Sequence, residues 1–378
     1  MAYYTLKSTQ VPNFQGHTVL ENFPQSPQAI CILRLSAIGD VCHAVSTVQA
    51  IQRQYPEALI TWVIGKVEAQ LLKHLPDVEF VIFDKSKGIK AYAELRNAMK
   101  GREYDILLHM QLALRANLAA YFIPAKIKLG FEKKRSKELH SLFVNEHITD
   151  SKGMHVLEGF RNFARAIGVP DSQPLWNIPL PHEVELWADN QLPQESFMVI
   201  SPGASKAERN WLAARYAKVA DYCHAKGFTI VMTGGPSAME RSLGDSILSH
   251  TKSPIIDLIG NTNLKQLLAV LKAAKFVIAP DSGPAHMAVT QGTPVIGLYA
   301  HSNPQRTGPY LYLDYVADAY TASATQQLNC SVNELPWGYR LKGDNLMQQI
   351  TVEQVTHLID QVMQDFLNEN IVDQNSGQ

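Results

Sequence analysis

The sequence predicts an α/β protein of two doubly wound, Rossmann-like domains facing each other across a cleft. Three observations carry this. A chain of 378 residues with 46% hydrophobic content can bury two cores of ordinary domain size. Short apolar runs alternate with segments of helical period in the βαβ rhythm of a parallel sheet. That rhythm breaks once, where Pro170, Pro174, Pro179, Pro181 and Pro193 crowd together, and then restarts.

Residues 1–28 form a polar extension that carries Lys7 but lacks the apolar core and small-residue cleavage site of a secretory signal. The first domain, 29–175, opens with the buried strand Ile30–Leu35 and a helix from about Asp40. Strands follow at Leu59–Ile64, Glu79–Phe83 and Tyr104–His109, with helices at Val67–His74, Ile89–Lys100 and Leu112–Phe122. The proline-rich stretch places the linker at 176–195. In the second domain, 196–350, strands are expected at Phe197–Ser201, Phe228–Thr233, Ile255–Leu258, Phe276–Ala279 and Pro294–Leu298. Helices between them are expected at Leu212–Lys226, Ala238–Leu248, Leu264–Ala273 and Pro284–Gln291. Val352, Val355, Leu358, Ile359, Val362 and Phe366 lie on one face of a last helix, 351–368, which packs on the body ahead of a disordered tail, 369–378.

Composition narrows the function. No apolar run reaches the ~20 residues that span a bilayer; Leu264–Pro280 is interrupted by Lys265, Lys272 and Lys275. A cytoplasmic protein is expected. Cys31, Cys42, Cys223 and Cys330 lack metal-site or disulfide-framework spacing and suit reduced thiols. Residues 1–170 hold 21 Lys+Arg against 15 Asp+Glu and the remainder 13 against 20, so halves of about +6 and −7 hide within a net charge of −1. The basic half reads either as attraction to an anionic partner or as ordinary surface charge.

Ligands of doubly wound sheets bind beyond the carboxyl ends of the strands, and three loops there carry chemistry. In Ser36-Ala37-Ile38-Gly39-Asp40, glycine permits a tight turn and Asp40 lands at a helix start, either as a carboxylate at the reaction centre or as a helix cap. In Asp281-Ser282-Gly283-Pro284-Ala285-His286, proline suits the first helical turn and leaves the Ser282 and Gly283 amides for an anion, with a diphosphate as natural occupant. His286 reads equally as a phosphate or sugar contact and as a structural hydrogen-bonder. In the third loop Ser205, Lys206 and Arg209 could neutralise a departing diphosphate, or form a solvated charged loop around Glu208. No D-x-D triplet offers to hold a catalytic divalent ion, and no G-x-G-x-x-G follows a strand, so neither a metal nor a nicotinamide cofactor is expected.

From Ala29 onward the chain resembles the heptosyltransferases, glycosyltransferase family nine, which have the two-domain GT-B fold. The resemblance is carried by Arg34-Leu35-Ser36-Ala37-Ile38-Gly39-Asp40-Val41, by Gly234-Gly235-Pro236 with Glu240, and by the stretch from Asp257-Leu258-Ile259-Gly260 through the Asp281 loop to Thr307-Gly308-Pro309-Tyr310. It implies an inverting, metal-independent transfer of heptose from ADP-heptose to the Kdo-lipid A or heptosyl inner core of lipopolysaccharide. The family's catalytic aspartate falls on Asp40. Its phosphate-contacting lysine before Trp-Pro falls on Arg209, with Trp211 kept and Leu212 replacing proline; its acidic ribose contact falls on Asp257. Ser36, Gly39, Ser205, Lys206, Arg209, Asp257, Asp281, Ser282, Gly283 and His286 are thus the expected donor contacts.

For the anionic acceptor, the expected contacts are Gln111 and Arg115 after a strand end and the run Lys133, Lys134, Arg135 and Lys137. The resemblance further implies no nucleic-acid partner and peripheral contact with the cytoplasmic face of the inner membrane. Two rival readings stand beside it. A sugar-nucleotide epimerase of similar architecture would isomerise donor without acceptor, and a silent binding protein would release no nucleotide.

Overall fold

The computed structural model describes residues 19–150, 155–336 and 338–367. The first sheet is built from β1 (Ala29–Leu33), β2 (Leu59–Gly65), β3 (Val78–Phe83), β4 (Tyr104–His109), β5 (Ala125–Gly130) and β6 (Glu146–His147). All pairs are parallel, in the order β3-β2-β1-β4-β5-β6, with Ile30 in register with both Ile60 and Ile106. The helices are α1 (Ile38–Gln54), α2 (Lys66–Leu72), α3 (Ile89–Ala98), α4 (Leu114–Tyr121) and α5 (Val156–Ala166).

After α6 (His182–Gln191) the pattern repeats with β7 (Phe197–Ile200), α7 (Ala213–Ala225), β8 (Thr229–Met232), α8 (Ala238–His250), β9 (Ile255–Asp257), α9 (Leu264–Ala273), β10 (Val277–Pro280), α10 (Gly283–Thr290) and β11 (Val295–Tyr299). It closes with α11 (Pro304–Thr307), β12 (Val316–Asp318), α12 (Tyr320–Leu328) and α13 (Val352–Val362). This second sheet is also all parallel, in the order β12-β11-β10-β7-β8-β9. The order of each sheet reverses once, between β1 and β4 and between β7 and β10. Those crevices are where doubly wound sheets place ligands.

Capping explains several helix starts. Asn263 and Gln266 cap α9 reciprocally, at 2.9 and 3.0 Å, and Thr351 and Gln354 do the same for α13, at 2.9 and 3.2 Å. Of the elements that escape sequence reading, β5 and β6 lack an apolar signature, whereas α5 carries Val156, Phe160 and Phe163 at helical spacing. β5 alternates Lys126 and Lys128 with apolar residues, β6 is two residues long, and α5 buries Glu158, Arg161 and Arg165 by pairing them with one another and with Asp171. The proline-rich stretch expected to link the domains carries a helix, because Pro181 stands at the N-cap of α6, where a missing N–H costs nothing. The expected tail, 369–378, and most of the 1–28 extension lie outside the described residues.

One continuous apolar cluster runs from one sheet to the other. Val41, Val45 and Phe160 from α1 and α5 join Leu268, Leu271, Ala285 and Val289 from α9 and α10. On the far side of the second sheet, α13 seats Val355, Ile359 and Val362 in a second cluster with Tyr216 and Val219 of α7. No helix among the described residues is long and apolar enough to cross a membrane.

Ile359 is fully buried, so Ile359→Ala should destabilise the protein by about 2–5 kcal/mol. The shift of the urea unfolding midpoint measures it.

Candidate active site

The loops after β1 and β10 meet at the seam between the sheets. Asp40 occupies the first turn of α1 and accepts the Ala37 N–H at 3.3 Å, one half of a capping box whose other half alanine cannot supply. The same carboxylate is ion-paired with Arg34, the residue that ends the first apolar run. Arg34 also donates to the Met110 carbonyl at 2.6 Å and lies 5.2 Å from the centre of the Phe160 ring. Asp40 is thus a helix-start ligand and a seam-facing ion-pair partner together, the two readings its position allows. Gln111, at the end of β4, braces this loop: its Oε1 accepts the Leu35 N–H at 2.7 Å and its Nε2 reaches Ser36 Oγ at 3.4 Å.

On the other side, Asp281 follows β10 and accepts from Ser302 Oγ at 2.6 Å, with His286 Nε2 at 3.8 Å. Burial alone would raise its pKa. The His286 imidazole, the Ser302 hydroxyl and the nearby charge of Arg209 outweigh burial and hold the carboxyl below its ordinary value. Pro284 sits in the first turn of α10, and the Ser282 hydroxyl oxygen is buried with no hydrogen-bond partner among the described residues.

Two glycines let the helix starts abut. A Cβ on Gly39 would lie 2.4 Å from His286 Cδ2, and one on Gly283 would lie 3.2 Å from Ile38 Cγ2. His286 is the end of a buried row, its ring centre 4.6 Å from His43, which is 5.3 Å from His155. His155 Nδ1 accepts the Leu157 N–H at 3.1 Å while Nε2 donates to the Gly308 carbonyl at 2.9 Å, a pair of bonds that selects the neutral tautomer. Burial pushes His155 down to about 3 and His43 well below its ordinary value.

In the third loop, Asn210 Oδ1 accepts the Ala204 N–H at 2.7 Å, and buried Trp211 donates to the Ile350 carbonyl at 3.0 Å. Arg209 is half-buried and acts on Asp281, whereas Ser205 and Lys206 are exposed, Lys206 lying 3.8 Å from Glu208. Asp257 is engaged twice, by the Ile259 N–H at 3.0 Å and by Arg241 at 2.8 Å. A Cβ at Gly203 or Gly235 would stand 2.7 or 2.6 Å from the Glu240 side chain, so both glycines admit that carboxylate.

The basic run of the first domain divides. Lys133, Lys134 and Lys137 are exposed, with Lys134 3.5 Å from Asp150, and Arg115 is exposed on α4. Arg135 alone turns inward, 4.3 Å from the centre of the Phe131 ring. Burial lowers its pKa to about 10, Glu132 opposes that, and the charges of Arg306 and Arg34 add to it. Arg306, on α11, is likewise lowered by burial and sustained by Asp40 and Asp281. Three guanidiniums from both domains therefore act around Asp40. Arg34, Arg241 and Arg306 stand beside the candidate site residues and were passed over by motif reading. The usable signals were an arginine ending an apolar run and one directly preceding Thr307-Gly308-Pro309-Tyr310.

Residues 92–335 match the glycosyltransferase family 9 (heptosyltransferase) domain. The lipopolysaccharide core heptosyltransferase OpsX of Haemophilus influenzae is 43% identical over 88% of this chain and 96% of its own length. Among solved structures, a glycosyl transferase family 9 protein from Veillonella parvula superposes with a TM-score of 0.74 at 23% identity, covering 90% of this chain and 98% of that one. Escherichia coli heptosyltransferase WaaC with ADP gives 0.68 at 20%, covering 89% and 100%. The architecture is that of these GT-B enzymes.

Gly39→Ala should drive a methyl into His286 and lower stability by about 1–3 kcal/mol. Melting curves of this variant, of His286→Ala and of the double variant should be non-additive, since removing the ring relieves the clash. A pH effect also follows from the row. His43 and His155 bind fewer protons folded than unfolded, so their contribution is complete above the unfolded value of about 6.5 and is lost as pH falls below it. At pH 5 the His155 contribution alone costs roughly 2 kcal/mol. Urea midpoints measured between pH 7.5 and 5 should fall less steeply for His155→Gln than for the wild type.

Proposed function

Because the chain belongs to glycosyltransferase family 9, we propose that it moves heptose from ADP-heptose to the inner core of lipopolysaccharide with inversion, Asp40 acting as general base. That the chain is a glycosyltransferase follows from the family. Donor and acceptor are supported by the relatives: the Haemophilus protein is a lipopolysaccharide core heptosyltransferase, and the Escherichia coli enzyme was solved with ADP. The observation that carries the mechanism is the meeting of Asp40 in one domain with the Asp281 turn of the other, where Gly39 touches His286.

In this reading an acceptor hydroxyl passes its proton to Asp40 as its oxygen bonds to the anomeric carbon. The bond from that carbon to the diphosphate breaks on the opposite face, and ADP leaves. Arg34 fixes the direction of the carboxylate. Charge developing on the diphosphate meets Arg209, Lys206 and the amides of Ser282 and Gly283 at the positive end of α10. Ser36, Ser205 and His286 border the donor, and Asp257, held by Arg241, presents its remaining lone pairs to the ribose. Arg135, with the exposed Arg115, Lys133, Lys134 and Lys137, draws in an acidic acceptor, while Gln111 shapes the loop that carries Asp40. Leaving-group charge is assigned to protein cations rather than to a metal ion. A lipid-borne acceptor places the reaction at the cytoplasmic face of the inner membrane.

Asp40→Asn should reduce transfer by ~10²–10⁴-fold while the thermal shift on adding ADP persists. Transfer at the wild-type rate would remove Asp40 from the base role. Chelation with EDTA should leave the wild-type rate unchanged; a collapse restored by a divalent ion would reassign the diphosphate charge.

A further inference from the structure

Five of the fifteen large apolar side chains exposed on the described surface come from residues 114–145. They are Leu114 (44% exposed), Leu118 (41%), Tyr121 (72%), Leu139 (64%) and Leu142 (76%). Leu114, Leu118 and Tyr121 are spaced i, i+4, i+7 on α4 and so share a face, away from buried Ala116, Ala119 and Ala120. The Glu138 carboxylate accepts the Leu114 N–H, and its carbonyl accepts from Asn117 Nδ2 at 2.7 Å, pinning the Leu139 segment beside the start of α4. Tyr121 and Leu142 line one shallow groove with Phe143 and Lys128. The five side chains form one patch.

Its surroundings are basic. The same residues hold seven cations, Arg115, Lys126, Lys128, Lys133, Lys134, Arg135 and Lys137, against two acids. Of those acids, Glu132 is buried and the Glu138 carboxylate is turned onto a backbone amide. Lys126 and Lys134 have acidic neighbours in Asp105, at 2.8 Å, and Asp150, at 3.5 Å. Arg115, Lys133 and Lys137 stand exposed among the leucines. Leucine and tyrosine ringed by lysine and arginine match the chemistry of an anionic lipid surface, where apolar tips enter the headgroup layer and cations meet phosphate. The patch is also continuous with the active site, since the single turn that exposes Lys133 and Lys134 turns Arg135 inward toward Asp40.

We propose that this face of the first domain docks on an anionic phospholipid bilayer, with Leu139, Leu142 and the Leu114, Leu118, Tyr121 face of α4 inserted. The proposal extends the reading of a lipid-borne acceptor, and the test separates the two. Wild-type protein should float with phosphatidylglycerol/phosphatidylethanolamine vesicles and not with phosphatidylcholine vesicles. Raising salt from about 0.1 to about 0.5 M should weaken flotation several-fold. The Leu139→Ser/Leu142→Ser double variant should lose roughly tenfold in vesicle partition. It should keep its rate on a deacylated, water-soluble acceptor and lose rate on acceptor embedded in vesicles.

Absence of wild-type flotation, equal binding to both vesicle types, or a double variant that floats like wild type would overturn the proposal. Light scattering that shows the wild type self-associated without floating, and the variant monomeric, would assign the patch to a second copy instead. Flotation by a wild type that transfers nothing to the soluble acceptor would support docking and remove the heptosyltransferase reading.

Discussion

The structure depends on a close approach between two helix N-termini, α1 from the first domain and α10 from the second. Each carries partial positive charge from unpaired amides, and Arg34, Arg135 and Arg306 add full charges beside them. Such an arrangement repels itself unless anions stand within it. Asp40 and Asp281 supply two, one from each domain, and an anionic donor would supply more. Gly39 and Gly283 are what permit the approach, since any side chain at Gly39 would occupy the space of the His286 ring.

Around this charged centre the seam is held by groups that bring no net charge. His43 and His155 are kept neutral by burial, so they pack as aromatic rings between the domains without adding to the repulsion. Tyr310 of the second domain donates to Glu158 of the first at 2.6 Å, joining a buried network with Arg161, Arg165 and Asp171. Buried pairs of this kind contribute little net stability but are costly to break singly. The Tyr310–Glu158 hydrogen bond carries this network across the seam and helps fix how the domains sit against each other. That relative position decides whether Asp40 faces the Asp281 turn.

The first domain turns its basic residues toward two different surfaces. Arg135 stacks on Phe131 and faces the seam, while its neighbours Lys133 and Lys134 face outward with the exposed leucines. A run of like charges thereby serves an inner and an outer surface. Sequence spacing could not separate them, because a short 3₁₀ turn points successive side chains in different directions.

The fold was legible because each domain repeats a local pattern. Apolar strands, turn glycines and helix caps lie within a few residues of one another, and local rules locate β1 to β4, β7 to β11 and most helices. Asp40 and the Asp281 turn were legible for the same reason, standing directly after strands at helix starts. β5, β6 and α6 were not, because pairing with neighbours or a proline N-cap overrides their local composition, whereas α5 does carry a local apolar stripe in Val156, Phe160 and Phe163. Likewise the partnership of Arg34 with Asp40, of Arg241 with Asp257, and the reach of Arg306 toward Asp40 join residues from separate loops, and the last crosses between domains. By itself the sequence determined which residues start helices and which strands they follow, since those depend on near neighbours. Only the tertiary structure decided which charges face one another, because that depends on how two separately built sheets are packed across a seam.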